Sequence, residues 1–212
     1  HGLEREDYSD YHAYSEKKKE IENGQFFTSP DICRLVAESL RPSHSDLIAD
    51  LTCGKGSFFN FLPVEDNLYG CELDAKAYKV ARFLYPKANL WLGDIRSYAP
   101  EVRFDYIVGN PPFNLRWNTE DGDCLSQLFY CRKAADTLKP LGIMAIVVPM
   151  SFLSDSFADS KMIREMEGRF SFLGQIGLPD DAFAPLGVEK FSTKLQFWQK
   201  KSDRDGWTPH RY

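Results

Sequence analysis

Four short stretches hold the residue types that can bind a small molecule or activate an amine. They are "DLTCGKGSFFNFL" with Gly54-Lys55-Gly56, "YGCELD" with Glu72, "GDI" with Asp94, and "DYIVGNPPFN" with Asn110-Pro111-Pro112-Phe113. Glycines permit a tight turn and close approach of backbone to a ligand. Glu72 follows Gly54 by 18 residues, and an acid about 20 residues past a glycine turn is placed to accept hydrogen bonds from two ribose hydroxyls. Asp94 can accept a hydrogen bond from an adenine amino group, with Ile95 against the ring. In the last stretch a proline pair stops a strand, since proline has no N–H for the ladder and restricts the residue before it. That accounts for the prolines but not for the amide and the aromatic ring that flank them.

Each feature also has a plainer reading. A glycine turn needs no ligand, Asp94 suits an ordinary turn, and an acid after a strand can cap a helix. Asp74, at the head of "DAKAYKVARF", serves that last purpose better than Glu72. Phe59 occupies the third position of a dinucleotide fingerprint, where glycine or alanine lets helix and strand pack closely, which argues against NAD or FAD. No G-K-[ST] follows at the spacing of a phosphate loop.

The elements that must position these residues alternate between short apolar runs and amphipathic stretches. Strands are expected at 47–50, 68–73, 89–93, 104–109, 142–149, 171–178 and 193–200. Helices are expected in "SPDICRLVAESL", with Ser29 as N-cap and Pro30 at the first position, and in "DAKAYKVARFLY", "CLSQLFYCRKAADTLK" and "DSKMIREMEGRF". This pattern predicts an α/β, Rossmann-like doubly wound fold. Its seven-stranded sheet is mostly parallel, and the last two strands form an antiparallel pair at one edge. In such sheets ligands bind outside the carboxyl ends of the strands, where all four stretches fall.

The chain has 212 residues, 43% hydrophobic and 14% aromatic, enough for one such domain. The expected division is an N-terminal arm or cut edge at 1–23, the domain at 24–201 and a tail at 202–212. The missing initiator methionine agrees with a piece of a longer protein. No run reaches the roughly 18 to 20 apolar residues of a membrane span and no signal peptide is visible, so a soluble, cytoplasmic chain is expected. The five cysteines form no C-x-x-C pair and the four histidines do not cluster near them, which argues against a metal site. A net charge of −5 offers no electrostatic footprint for nucleic acid.

Taken in order, "DLTCGKGSF", "YGCELD", "GDI" and "NPPF" resemble the class I S-adenosylmethionine-dependent N6-adenine DNA methyltransferases. "GQFFTSPDICRLVAESL" upstream is similar to the modification subunits of type I restriction systems, as are "GIMAIVVPMSFL" and "GLPDDAFAPLGVEKFSTKLQFW" downstream. The resemblance covers most of residues 24–200. It departs from the family at Thr52, where Pro or Ala is frequent, and at Ser29, an insertion in the usual "FTP". It implies S-adenosylmethionine as cofactor, with Phe27, Thr28, Asp50, Cys53, Gly54 and Gly56 around the methionine part. Glu72 would bind the ribose with Leu73 beside it, and Asp94 and Ile95 the adenine. Cys53 also reads as a small buried filler. Asn110 and the Pro111 carbonyl would accept the two N6–H bonds of a target adenine, Pro112 would stiffen the loop, and Phe113 would stack on the extruded base.

Beyond Asn114, "LRWNTEDGD" reads as a polar loop in which Arg116 and Trp117 touch DNA or simply line the surface. Lys190 and Lys194 suit phosphate, although scattered lysines are usually solvated. The family reads DNA sequence with a separate target-recognition domain or subunit, which reconciles the acidic charge with a DNA substrate. Methylation of RNA or of a protein glutamine, and a cofactor-binding scaffold without turnover, are the alternatives.

Overall fold

The computed structural model describes residues 28–119, 122–154, 160–179 and 192–202. Helix α1 (Pro30–Leu40) begins where Ser29 accepts a hydrogen bond from the Ile32 N–H, and it ends at Arg41 in a left-handed conformation. Its buried face, Ile32, Cys33 and Val36, has the spacing that puts side chains on one side of a helix. Strand β1 (Ile48–Asp50) is buried on both faces. Strand β2 (Leu68–Glu72) leads into α2 (Ala75–Leu84), which Asp74 caps by accepting from the Lys76 and Ala77 N–H groups. Glu72 is therefore not the cap. Strands β3 (Asn89–Leu92) and β4 (Phe104–Gly109) follow.

The seven-stranded sheet has the order β3-β2-β1-β4-β7-β9-β8, with β7 at Leu138–Pro149, β8 at Phe170–Gly177 and β9 at Thr193–Lys200. Strands β1 to β4 and β7 run parallel, whereas β9 is antiparallel to both β7 and β8. The expected antiparallel pair is present at the sheet's end, with β9 as its reversed member. After β3 the chain returns to pair β4 on the other side of β1. The order thus reverses between β1 and β4, and in such sheets ligands bind outside the carboxyl ends at that point.

Both faces of the sheet are covered. On one, Met144, Ile146, Val148 and Trp198 pack with Tyr130 and Met166 from helices α3 (Ser126–Thr137) and α4 (Ser160–Arg169). On the other, Ala145, Val147 and Leu195 pack with Ile32 and Val36 of α1 and with Phe113. Strand β7 sends alternate side chains to the two cores, the period-2 pattern of a central strand.

The stretch after Asn114, expected as a polar loop, instead contributes strands to a hairpin. Strands β5 (Arg116–Thr119) and β6 (Gly122–Leu125) pair antiparallel, with Trp117 opposite Cys124. The pairing holds because those two side chains have apolar cover. Cys124 is buried, and the Trp117 ring packs edge-on against Phe129 at 5.6 Å. Cys124 and Leu125, assigned above to a helix, belong to β6, and α3 starts after them. Among the described residues no helix is long and apolar enough to cross a membrane.

Candidate active site

Asp50 lies at the end of β1 and is 2% exposed. Its carboxyl accepts from the Thr52 N–H at 3.0 Å, and its pKa is pushed up to about 7. Burial is the main cause and the nearby Glu72 adds to it, while the Thr52 N–H and the Tyr130 hydroxyl pull the other way. Glu72, at the end of β2, accepts from the Gly54 N–H at 2.7 Å on one oxygen and from the Asp74 N–H at 2.6 Å on the other. Burial raises its pKa, and those backbone donors oppose the shift. Each carboxylate oxygen has lone-pair capacity beyond one bond, so Glu72 can hold the glycine turn and still accept from a diol.

Gly54 and Gly56 have φ of 57° and 82°, the left-handed region that favours glycine. At Gly56 the reason is internal packing rather than approach to a ligand, since an added Cβ would lie 2.7 Å from the Tyr85 ring. The Cys53 side chain also turns inward. Its sulfur occupies the space beside Gly70, where a Cβ would meet it at 2.8 Å, and burial raises its thiol pKa. The filler reading describes that side chain better than ligand contact does. Thr28 is buried immediately before Ser29, and Ser29 is engaged as the cap.

Leu73 is 66% exposed, an apolar side chain left open at the sheet's carboxyl edge. Asp94 caps the short 3-10 turn Ile95–Ser97 through the Arg96 N–H. It also accepts from the Arg96 guanidinium, whose Nε lies 3.0 Å from both oxygens. The guanidinium holds the carboxyl below its ordinary pKa. An adenine amino group at Asp94 must therefore share that carboxylate with Arg96. Ile95 is buried in the core.

Beyond β4, Pro111 is buried and Asn110 and Pro112 are half-buried. Phe113 is 5% exposed and packs against α1 and β4. A base reaches that ring only by displacing part of its cover. Strand β4 and its motif are gripped from α3, whose residues Ser126, Gln127 and Tyr130 the sequence reading passed over as ordinary helix. The only hint was Gly109, a glycine ahead of the asparagine, where an added Cβ would lie 2.0 Å from the Tyr130 hydroxyl.

Arg116 is exposed and Trp117 is half-buried. The packing of Trp117 on Phe129 accounts for it without a DNA contact. Lys194 is not solvated: it is 4% exposed, and burial lowers its pKa. Phe27 and Lys190 lie outside the described residues. Among the described residues no three His, Cys, Asp or Glu side chains are grouped as metal ligands.

With Asp50, Glu72, Asp94 and Asn110 at or just beyond the carboxyl ends of β1, β2, β3 and β4, the fold is that of the class I methyltransferases. A structure from Vibrio vulnificus YJ016, assigned as a type I restriction modification subunit, superposes with a TM-score of 0.70 at 18% identity, covering 91% of this chain and 48% of that one. The model of the N-6 DNA methylase family matches residues 10–206, and the chain belongs to that family. It is 30% identical over 163 residues to the type II methyltransferase M.CvrRI of Paramecium bursaria Chlorella virus XZ-6E, over 70% of this chain. It is 27% identical over 177 residues to the defense against restriction protein B of Escherichia phage P1, over 77% of this chain. The chain spans 42% of the length of the viral enzyme and 8% of the phage protein.

Proposed function

We propose that this chain is the catalytic domain of an adenine-specific DNA methyltransferase, using S-adenosylmethionine to methylate the N6 amino group of an extruded adenine. The observation that carries the reading is the set of side chains at the β1 to β4 ends. Two buried carboxyls with raised pKa, Asp50 and Glu72, stand at the ends of adjacent strands β1 and β2, across the switch point from Asn110-Pro111-Pro112-Phe113 beyond β4. That donor set fits the cofactor. Asp50 suits a methionine ammonium, Glu72 a ribose diol, and Leu73 with Asp94 an adenine. Bound there, the cofactor supplies an electrophilic methyl group on a sulfonium.

The protein's task is orientation. An exocyclic adenine amine is a poor nucleophile because its lone pair is delocalised into the ring. Two acceptors, the Asn110 side-chain oxygen and the Pro111 carbonyl, draw its two N–H bonds out of that plane and aim the lone pair. Such fixed dipoles and alignment can supply much of a rate enhancement. The Pro112 carbonyl already accepts from Ser126 Oγ at 2.5 Å. Extruding the base costs a few kcal/mol, and stacking on Phe113 returns about 1–3 kcal/mol.

The net charge of −5 fits a domain that relies on a separate target-recognition module for phosphate contacts, and a cytoplasmic location fits a DNA substrate. The test is to incubate wild type and Asn110→Ala with labelled cofactor and DNA, RNA or protein side by side, then detect N6-methyladenine by mass. The expected result is label in DNA adenine, abolished in Asn110→Ala with cofactor affinity nearly intact. Near wild-type turnover in that variant, or label confined to RNA or protein, refutes the proposal.

A further inference from the structure

Three polar side chains at the start of α3 are almost completely buried: Ser126 at 0%, Gln127 at 1% and Tyr130 at 0% exposure. Buried polar groups destabilise a fold unless each finds a partner, so their partners show what they do. Ser126 Oγ donates to the Pro112 carbonyl at 2.5 Å. The Ser126 N–H donates to the Leu115 carbonyl at 2.8 Å. Gln127 Nε2 donates to Asn114 Oδ1 at 3.0 Å, and the Asn114 N–H donates back to Gln127 Oε1 at 3.0 Å. Tyr130 Oη donates to the Val108 carbonyl at 2.7 Å. These partners all fall within residues 108–115, the segment that contains the motif.

Tyr130 also reaches across to β1, where its hydroxyl accepts from the Leu51 N–H at 3.2 Å. One hydroxyl thereby joins the end of β4 to the residue after Asp50. The junction is tight, because any side chain at Gly109 would collide with it. At the other end of the segment Asn114 adopts φ 58°, a left-handed conformation that asparagine tolerates better than most residues, and its two bonds to Gln127 hold it there. Between these anchors the prolines restrict their own φ to near −65°, and Ser126 fixes the peptide plane that follows Pro112. Little freedom is left in the plane that carries the Pro111 carbonyl.

We infer that the first turns of α3 form a polar clamp in which Ser126, Gln127 and Tyr130 are positioning residues for the Asn110–Phe113 segment. They set the direction of its acceptors toward the target amine. The inference rests on the methyltransferase proposed above and adds residues that touch neither cofactor nor base. The clamp acts on the alignment of the amine rather than on cofactor affinity, because its bonds fall mainly on the catalytic side of the switch point. Tyr130 is the exception and couples both sides.

The decisive variant is Gln127→Met in the full chain, which keeps the side-chain volume but removes both bonds to Asn114. Single-turnover methyl transfer at saturating cofactor and DNA should fall at least tenfold, with the cofactor dissociation constant within about twofold of wild type. Backbone hydrogen exchange in a peptide spanning 109–118 should quicken while that of 50–58 does not. Asn114→Gly keeps the backbone conformation and cuts one of those two bonds, the one Gln127 Nε2 donates to Asn114 Oδ1. Combined with Gln127→Met it should therefore add little further loss, the mark of residues acting as a unit. Tyr130→Phe should lower both the transfer rate and the cofactor affinity. If Gln127→Met lowers thermal stability while the rate per cofactor-binding site stays at the wild-type value, the clamp is only structural and the inference fails. A wild-type chain that binds cofactor yet methylates no DNA, RNA or protein refutes the methyltransferase reading instead.

Discussion

With Asp50 proposed to face the methionine ammonium, cofactor binding should depend on pH in a way that can be worked out beforehand. In the cofactor-free protein its carboxyl sits near pKa 7, raised from 3.8 chiefly by burial, with Glu72 as an additional negative neighbour. A methionine ammonium set against it favours the ionised form, so binding below pH 7 must release a proton. With apparent affinity scaling as 1/(1 + 10^(pKa − pH)), lowering the pH from about 7.5 to about 5.5 weakens binding roughly 25-fold, or about 2 kcal/mol. The native state also holds this proton more tightly than the unfolded chain does. The resulting stabilisation is therefore complete below the unfolded value of 3.8 and is lost as pH climbs through about 7. The upper bound of that loss is about 4 kcal/mol. Asp50→Asn, which cannot ionise, should thus be more stable than wild type at about pH 8 while binding cofactor more weakly and with a flatter pH profile. Titration calorimetry in buffers of differing ionisation enthalpy measures the released proton directly, and thermal melts measure the stability arm. A dissociation constant that stays level between pH 5.5 and 7.5 with no proton released refutes the reasoning, as does an Asn variant less stable than wild type at pH 8.

Other perturbations follow from single contacts. Gly56→Ala must place a side chain at φ 82° and 2.7 Å from the Tyr85 ring; a loss of about 1–3 kcal/mol is expected by urea denaturation, and an unchanged midpoint counts against the packing account. Gly109→Ala drives a methyl into the Tyr130 hydroxyl, so the Val108 carbonyl loses its donor. The expected cost is at least about 1–3 kcal/mol with a drop in turnover, and a fully active, fully stable variant would show that strand and helix part easily. Glu72→Gln retains one acceptor oxygen but loses the charge, and cofactor affinity should fall about tenfold, the scale of one charge-assisted hydrogen bond. Equal binding of cofactor by wild type and variant in calorimetry would remove Glu72 from the ribose site.

The amino-acid order was enough to establish the alternation of strands and helices, the doubly wound sheet, the capping of α1 by Ser29, and the placement of Asp50, Glu72, Asp94 and Asn110 at strand ends. These are local matters. Apolar runs of strand length, proline before a helix and glycine in a turn act over a few residues, and their consequences can be read along the chain. What the tertiary structure decided involves residues far apart in sequence. It turned Cys53 inward because Gly70 leaves room there, and it demanded glycine at 56 because of Tyr85. It buried Lys194, and it drew Trp117 and Cys124 into a hairpin because Phe129 and the core offered them cover. It also gave the start of α3 its grip on the motif. Nothing in "LSQLFYC" announces that three of its side chains hold a loop a dozen or more residues upstream, because a hydrogen bond across the fold leaves no periodicity in the sequence. The sequence alone determined which groups stand at the strand ends, and only packing decided which of them turn inward and which are held by partners across the fold.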